Sequence, residues 1–146
     1  LIEKMAKGGN KHKIKFACWE MNSQLDFSFS GIKTAVLYYL KNKKAGTKLK
    51  KDLAASFQES AVNALIRKSL LACKRKGAKN LLIGGGVAAN SYLRQKFARS
   101  SKNNGINCFF PSINLCLDNA AMVAGLADYL YKQGLRSNLN LNMKLN

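Results

Sequence analysis

The chain has 146 residues, 47% of them hydrophobic, with 25 Lys and Arg against 7 Asp and Glu for a formal charge of +18. That length suits one domain with a buried core and is too short for two ordinary ones; no run approaches the roughly 20 apolar residues of a membrane-spanning helix, so a soluble, cytoplasmic protein with no membrane partner is expected. The charge favours a polyanion such as RNA, but Asn is abundant too and the lysines are scattered, so compositional drift is the competing explanation.

The segment Leu1–Asn10 has helix-forming residues without a capping signal and lacks the apolar centre of a secretory signal. It opens on Leu rather than Met and reads as a piece of something longer. The sole histidine, His12, sits among lysines and glycines, where a solvated loop residue is the simple reading. Ile14–Trp19 is a weak strand candidate, and Leu25–Phe29 alternates apolar and polar residues before Ser30, which is placed to cap a helix over Gly31–Leu40. Its apolar face is Ile32, Ala35, Val36, Tyr39 and Leu40. After a lysine-rich loop, a long helix is predicted from about Leu49 to Lys76, with Leu53, Phe57, Ala61, Leu65, Ile66, Leu70 and Cys73 as its stripe. Gly77 stops it, and Lys74, Arg75 and Lys76 suit the negative end of the helix dipole.

Leu81-Leu82-Ile83 reads as a short buried strand broken by Gly84-Gly85-Gly86. A helix follows from Ala89 or Asn90 to Ser101, with Leu93, Phe97 and Ala98 inward, and then a strand over Ile106–Phe110 ended by Pro111. The last helix is predicted from Asp118 to about Lys132, with Met122, Val123, Leu126 and Leu130 at helical spacing. Its first half, rich in Ala and Gly, is expected to lie close against a neighbour. Gly134 closes it, leaving residues 135–146 as a poorly ordered tail after one domain over 1–134. Helices alternating with strands predict an α/β arrangement with two parallel strands and a right-handed crossover, part of a larger sheet. The cysteines Cys18, Cys73, Cys108 and Cys116 form no CxxC pair, which excludes zinc-knuckle and thioredoxin motifs and leaves buried thiols in a reducing compartment.

Three places can carry chemistry. In Gly84–Asn90 a strand runs through glycines into a helix, where free N–H groups and an unobstructed backbone suit a phosphate or nucleotide; a tight turn with Asn90 as N-cap is the alternative. The pattern is neither GxGxxG nor a Walker A loop. In Asn114–Met122, Asp118 is either a metal ligand or a helix cap. In Leu25–Thr34, hydroxyls, an acid and Lys33 crowd a helix start.

Together, LDFSFSGIKTA at 25–35, ASFQESA at 55–61, GGVAAN at 85–90 with Leu93-Arg94, and CLDNAAM at 116–122 resemble, in order and spacing, the motifs of the tRNA N6-adenosine threonylcarbamoyltransferase family (bacterial TsaD) over about residues 1–134. The resemblance implies an α/β part, the C-terminal lobe, of an actin-like (ASKHA) ATPase fold, with parallel strands and flanking helices. It implies transfer of a threonylcarbamoyl group from an ATP-derived adenylate, threonylcarbamoyl-AMP, to N6 of the tRNA adenosine beside the anticodon. Carried over by position, Asn90, Gly85 and Gly86 resemble the nucleotide- and substrate-binding residues, and Asp118 resembles the ligand of a divalent metal, usually Fe(2+) with Zn as the alternative.

The implied partners are tRNA, the missing N-terminal lobe and accessory proteins of the threonylcarbamoylation pathway. The family's HxxxH metal motif and its N-terminal glycine-rich segments are absent from this sequence, so the isolated polypeptide is expected to be inactive. Ala17-Cys18-Trp19-Glu20 stands where Pro-Arg-Pro is common, and Leu117 where Thr is. A non-catalytic basic module that binds RNA or protein is the rival reading; a sugar kinase or other actin-like phosphotransferase is a third.

Overall fold

A 30-residue helix, α3 (Thr47–Lys76), is the axis of the molecule, and at 1.5 Å per residue it is about 45 Å long. It ends as its sequence predicts. Gly77 takes the left-handed conformation at φ 63°, Ala78 N–H donates to Cys73 O at 2.9 Å and Gly77 N–H to Lys74 O at 3.3 Å, the paired bonds of a Schellman cap. The computed structural model describes residues 1–16 and 25–137.

The two halves of α3 serve two cores. Near its start, Leu53 packs with Ile14, Phe16 and Ile32, and Ala35, Val36, Tyr39 and Leu40 of α2 (Phe29–Leu40) close over them. Farther along, Val62 and Ile66 pack with Leu93 and Phe97 of α4 (Ser91–Asn103), and Leu81, Ile83, Cys108 and Phe110 complete that cluster. Because elements press on α3 from several sides, burial wraps around residues 52–56 rather than keeping to the predicted stripe, and Phe57, Ala61, Leu65 and Leu70 are only half-buried.

The opening segment is bound to α3 through backbone contacts. After α1 (Ile2–Ala6), Asn10 N–H donates to Asp52 Oδ1 at 2.7 Å, Ser56 Oγ donates to Asn10 O at 3.2 Å, and Ile14 N–H donates to Ser56 Oγ at 3.2 Å. Asp52 and Ser56 are buried and so are satisfied. His12 is exposed, as expected of a loop residue.

The sheet is two parallel strands, β1 (Asn80–Leu82) and β2 (Asn107–Phe109), in the register Asn80 to Asn107, Leu81 to Cys108 and Leu82 to Phe109, with α4 between them in sequence. This is the α/β arrangement predicted. The strand is not buried as expected, however: Leu82 is 78% exposed and Phe109 52% exposed, so one face of the sheet is open. An apolar side chain left in water there offers area to another element.

Further expectations are corrected. Leu25–Ser28 forms no strand, and α2 begins at Phe29 with Ser28, not Ser30, at the N-cap position, because the helical backbone extends back over the Phe29–Ser30 pair. Residues 14–16 carry no strand, and the rest of Ile14–Trp19, including Ala17-Cys18-Trp19-Glu20, lies outside the described residues, as does most of the tail, 138–146. Ala98 is exposed, since only Leu93 and Phe97 of the expected face point at the core. The Ala- and Gly-rich face of α5 (Ala120–Lys132) packs against nothing among the described residues: α5 has no buried residue, and Met122, Val123, Leu126, Tyr129 and Tyr131 are each more than half exposed.

Cys73 and Cys116 are buried free thiols and Cys108 is half-buried. Burial pushes the Cys108 thiol up from its ordinary range, with Ser101 partly opposing it. Among the described residues no helix is long and apolar enough to cross a membrane.

Candidate functional site

Parallel strands put their C-terminal ends at the same edge of a sheet, which is where open α/β folds bind ligands. Here that edge carries both sequence-predicted junctions. From β1 the chain passes through Gly84-Gly85-Gly86 into a 3-10 turn at Gly86–Ala89 and then α4. From β2 it passes Pro111 into a 3-10 turn at Ile113–Leu115, then Asp118 and α5.

Gly85 has φ 86° and ψ 169°, a region open essentially to glycine alone. No atom lies within 4 Å of the Cβ that Gly84 or Gly85 lacks, so the backbone there faces open space. At Gly86 a Cβ would meet Leu117 Cδ2 at 3.3 Å, which places the residue before Asp118 directly on the glycine turn.

Asn90 caps α4: its Oδ1 accepts Leu93 N–H at 2.9 Å, and its Nδ2 donates to Gln58 Oε1 of α3 at 2.9 Å. The side chain fixes the helix start and ties it to α3, while one acceptor site and one N–H remain for a ligand. Replacing Asn90 by Ala therefore removes a cap as well as any ligand contact, and is expected to cost about 1 kcal/mol of stability. Asn90→Ser keeps a capping acceptor and removes the amide donor. Thermal melts of the two variants beside adenylate titrations separate the roles: Ser near wild-type stability with weakened binding marks a ligand contact, and Ser with unchanged binding marks a cap alone.

At the second junction the cap is Asn119, not Asp118. Asn119 Oδ1 accepts Met122 N–H at 2.9 Å, and its Nδ2 donates to Leu117 O at 2.9 Å. Asp118 is exposed, and among the described residues it takes part in no hydrogen bond or ion pair. Its carboxylate is thus available for a cation. Among the described residues no group of three or more His, Cys, Asp and Glu gathers to hold a metal, and one carboxylate alone does not make a metal site.

Arg94 lies between the junctions. Its Nε donates to Ala88 O at 2.6 Å, its Nη2 donates to Pro111 O at 2.6 Å and contacts Cys116 Sγ at 3.1 Å, and its guanidinium rests 4.9 Å from the centre of the Phe110 ring. Sequence reasoning noted Arg94 only as part of a motif. Its one physical signal was a cation in the opening turns of a helix, where the dipole disfavours it unless specific acceptors wait.

On the neighbouring face, Glu59 of α3 accepts bonds from Lys96, Tyr92 and Asn63, a network no pattern in the sequence announces. Burial alone raises the Glu59 carboxyl, but the bonds from Lys96, Tyr92 and Asn63 outweigh it and hold it at about 2. The Tyr92 hydroxyl is pushed up by burial and by that carboxylate. Glu59 is thus a fixed anion that locks α4 to α3, not a proton carrier near neutrality.

Residues 1–125 match the family profile described as TsaD: tRNA N6-adenosine threonylcarbamoyltransferase. Curated relatives bearing the name tRNA N6-adenosine threonylcarbamoyltransferase include one from Clostridium beijerinckii, 45% identical across 99% of this chain and 44% of its own length. Another, from Protochlamydia amoebophila, is 47% identical across 90% of this chain and 40% of its own length. A third, from Clostridium botulinum, is 44% identical across 97% of this chain and 42% of its own length. The chain therefore spans less than half the length of these relatives. With a profile match over most of its residues and relatives that share 44–47% identity, the chain belongs to the tRNA N6-adenosine threonylcarbamoyltransferase (TsaD) family.

Proposed function

We propose that this chain supplies the nucleotide-facing and metal-facing half of an enzyme that transfers a threonylcarbamoyl group from threonylcarbamoyl-AMP to N6 of the tRNA adenosine next to the anticodon. The observation that carries the reading is the convergence of the open glycine turn and the exposed Asp118 carboxylate, which has no hydrogen-bond or ion-pair partner among the described residues, at one edge of a parallel pair. In this reading Gly85 and Gly86 let the adenylate approach the backbone, Asn90 binds it through its remaining amide groups, and Asp118 is one ligand of a divalent metal, iron or zinc. When bound, the metal supplies positive charge that polarises and orients substrate oxygens. The chain's own residues hold the adenylate against the turn, orient it from the α4 start, and keep the Asp118 carboxylate exposed on the opposite wall.

The fold in this reading is the C-terminal lobe of an actin-like ATPase, and the remainder of the enzyme packs on the exposed faces of α5 and the sheet. Leu82, Phe109, Met122, Val123 and Leu126, more than half exposed here, gain cover from it. tRNA is the substrate, and accessory proteins of the same pathway are further partners. The test is transfer to tRNA by the full-length protein given threonylcarbamoyl-AMP; RNA binding without transfer, with the required accessory proteins added, favours a non-catalytic binding module instead.

The charge makes a separate prediction. If the basic surface serves tRNA, log affinity falls linearly with log salt, and replacing the exposed Lys43, Lys44, Lys48 and Lys50 with Gln flattens the slope, by somewhat under about 1 for each phosphate that a lysine no longer neutralises. Filter binding across a salt series measures it, and a flat slope in the unmutated protein assigns the +18 to composition.

A further inference from the structure

We infer that Arg94 is a positioning residue that fixes the spacing between the glycine turn and the Asp118 loop, and thereby couples occupancy of one to occupancy of the other. The inference rests on the proposed function for what the two walls bind, but the clasp itself stands on geometry. Each loop leaves a strand of only three residues, so the strands alone do little to hold the loops beyond the sheet edge.

Arg94 spans the gap. From within α4 its Nε holds Ala88 O at the end of the glycine turn, and its Nη2 reaches Pro111 O and Cys116 Sγ in the loop that leads to Asp118. Among the described residues no other hydrogen bond is seen between the two loops, although their 3-10 turns lie against each other and Leu117 comes close to Gly86. Ala88 is 1% exposed and Cys116 4% exposed, so water is a poor substitute for the guanidinium there. Phe110 stacks under the guanidinium and Phe97 meets Phe110 edge-on, which fixes the plane of the fork. Lys has one compact ammonium and cannot present donors in two directions from a rigid plane.

A rigid tie between two binding loops makes them share their order. Ligand that stills the glycine turn stills the Asp118 loop through Arg94, and metal on Asp118 favours the adenylate by the same factor, because coupling between two binding equilibria is reciprocal. The contacts of Arg94 seen among the described residues are with the two loops and Phe110, so its effect is expected to pass through the loops.

The experiment compares Arg94→Lys and Arg94→Gln with wild type in the full-length protein. Amide hydrogen exchange is read over 84–90 and 111–119, alongside adenylate affinity with and without metal, and transfer kinetics well below the melting temperature. The expected result is that both loops lose protection together while the middle of α3 keeps its own. The factor by which metal raises adenylate affinity collapses toward one, and kcat falls about 10- to 100-fold, as for residues that orient ligating groups. Unchanged exchange, loosening of one loop only, or a lower melting temperature with unchanged coupling and kcat overturns the inference. If wild type itself binds neither adenylate nor metal, the functional reading fails, and the paired loss of protection still decides the clasp.

Discussion

Asp118→Asn in the full-length protein is expected to lower metal content and tRNA transfer sharply while leaving the metal-free fold intact. The two consequences come apart because the helix start and the carboxylate are separate. Asn119 provides the cap of α5, so a neutral amide at Asp118 removes no hydrogen bond seen among the described residues. Stability is expected to change by no more than about 0.5 kcal/mol, the usual range for an exposed site without special contacts. A neutral amide oxygen is a much poorer ligand for a divalent cation than a carboxylate. Loss of a group that merely orients a ligand costs about 10- to 100-fold in metal affinity, so loss of the ligand charge costs at least that. Elemental analysis and a transfer assay read the outcome, and full metal occupancy with normal transfer removes Asp118 from the site. Asn119→Ala is the matched control, expected to fray α5 by about 1 kcal/mol without touching the metal.

What the sequence made legible was whatever follows from local chemistry. The α3 stop at Gly77 needs only a residue at ease with φ 63° and carbonyls to be capped, so it was readable to the residue. The same holds for Asn90 at the start of α4, whose capping bond spans three positions. The parallel pair followed from strand, helix, strand order with short connections. Elsewhere neighbouring candidates of similar chemistry competed. Ser30 and Asp118 stand one or two positions from the residues that take the N-cap positions, Ser28 without a side-chain capping bond and Asn119 with one, and such close neighbours of similar chemistry are separated only by their backbone angles. The open faces of α5 and the sheet were not legible because an apolar stripe states that a helix face seeks cover without stating that the cover lies within the same 146 residues. The ties that Arg94 makes to Pro111 and Cys116, and Glu59 to Tyr92 and Lys96, were not legible because those partners lie 17 to 37 positions away, beyond any local pattern.

The glycines divide in the same way, between those the fold needs and those a ligand needs, and substitution to Ala is expected to separate them. Gly9 is needed by the fold. A Cβ there would stand 2.2 Å from Lys51 O and 2.5 Å from Lys51 C, inside the backbone of α3, and 3.0 Å from Ala55 Cβ. Neither side can give: α3 is held along its length by two cores, and the opening segment is held by Asn10 on Asp52 and Ser56. Gly9→Ala is therefore expected to cost about 3 kcal/mol, at the upper end for overpacking, and to lower the melting temperature by about 6–12 °C for a chain of this size. Gly84 is the opposite case, with open space where its Cβ would stand and no positive φ to strain a side chain. Gly84→Ala is expected to leave stability within about 1 kcal/mol of wild type. If the adenylate lies against the turn, that added methyl meets the ligand instead of the protein, and affinity falls by about tenfold, the equivalent of a modest steric clash. Calorimetric titration of adenylate into the full-length Gly84→Ala protein measures this directly: unchanged affinity with an intact fold means that no ligand approaches the turn from its open side.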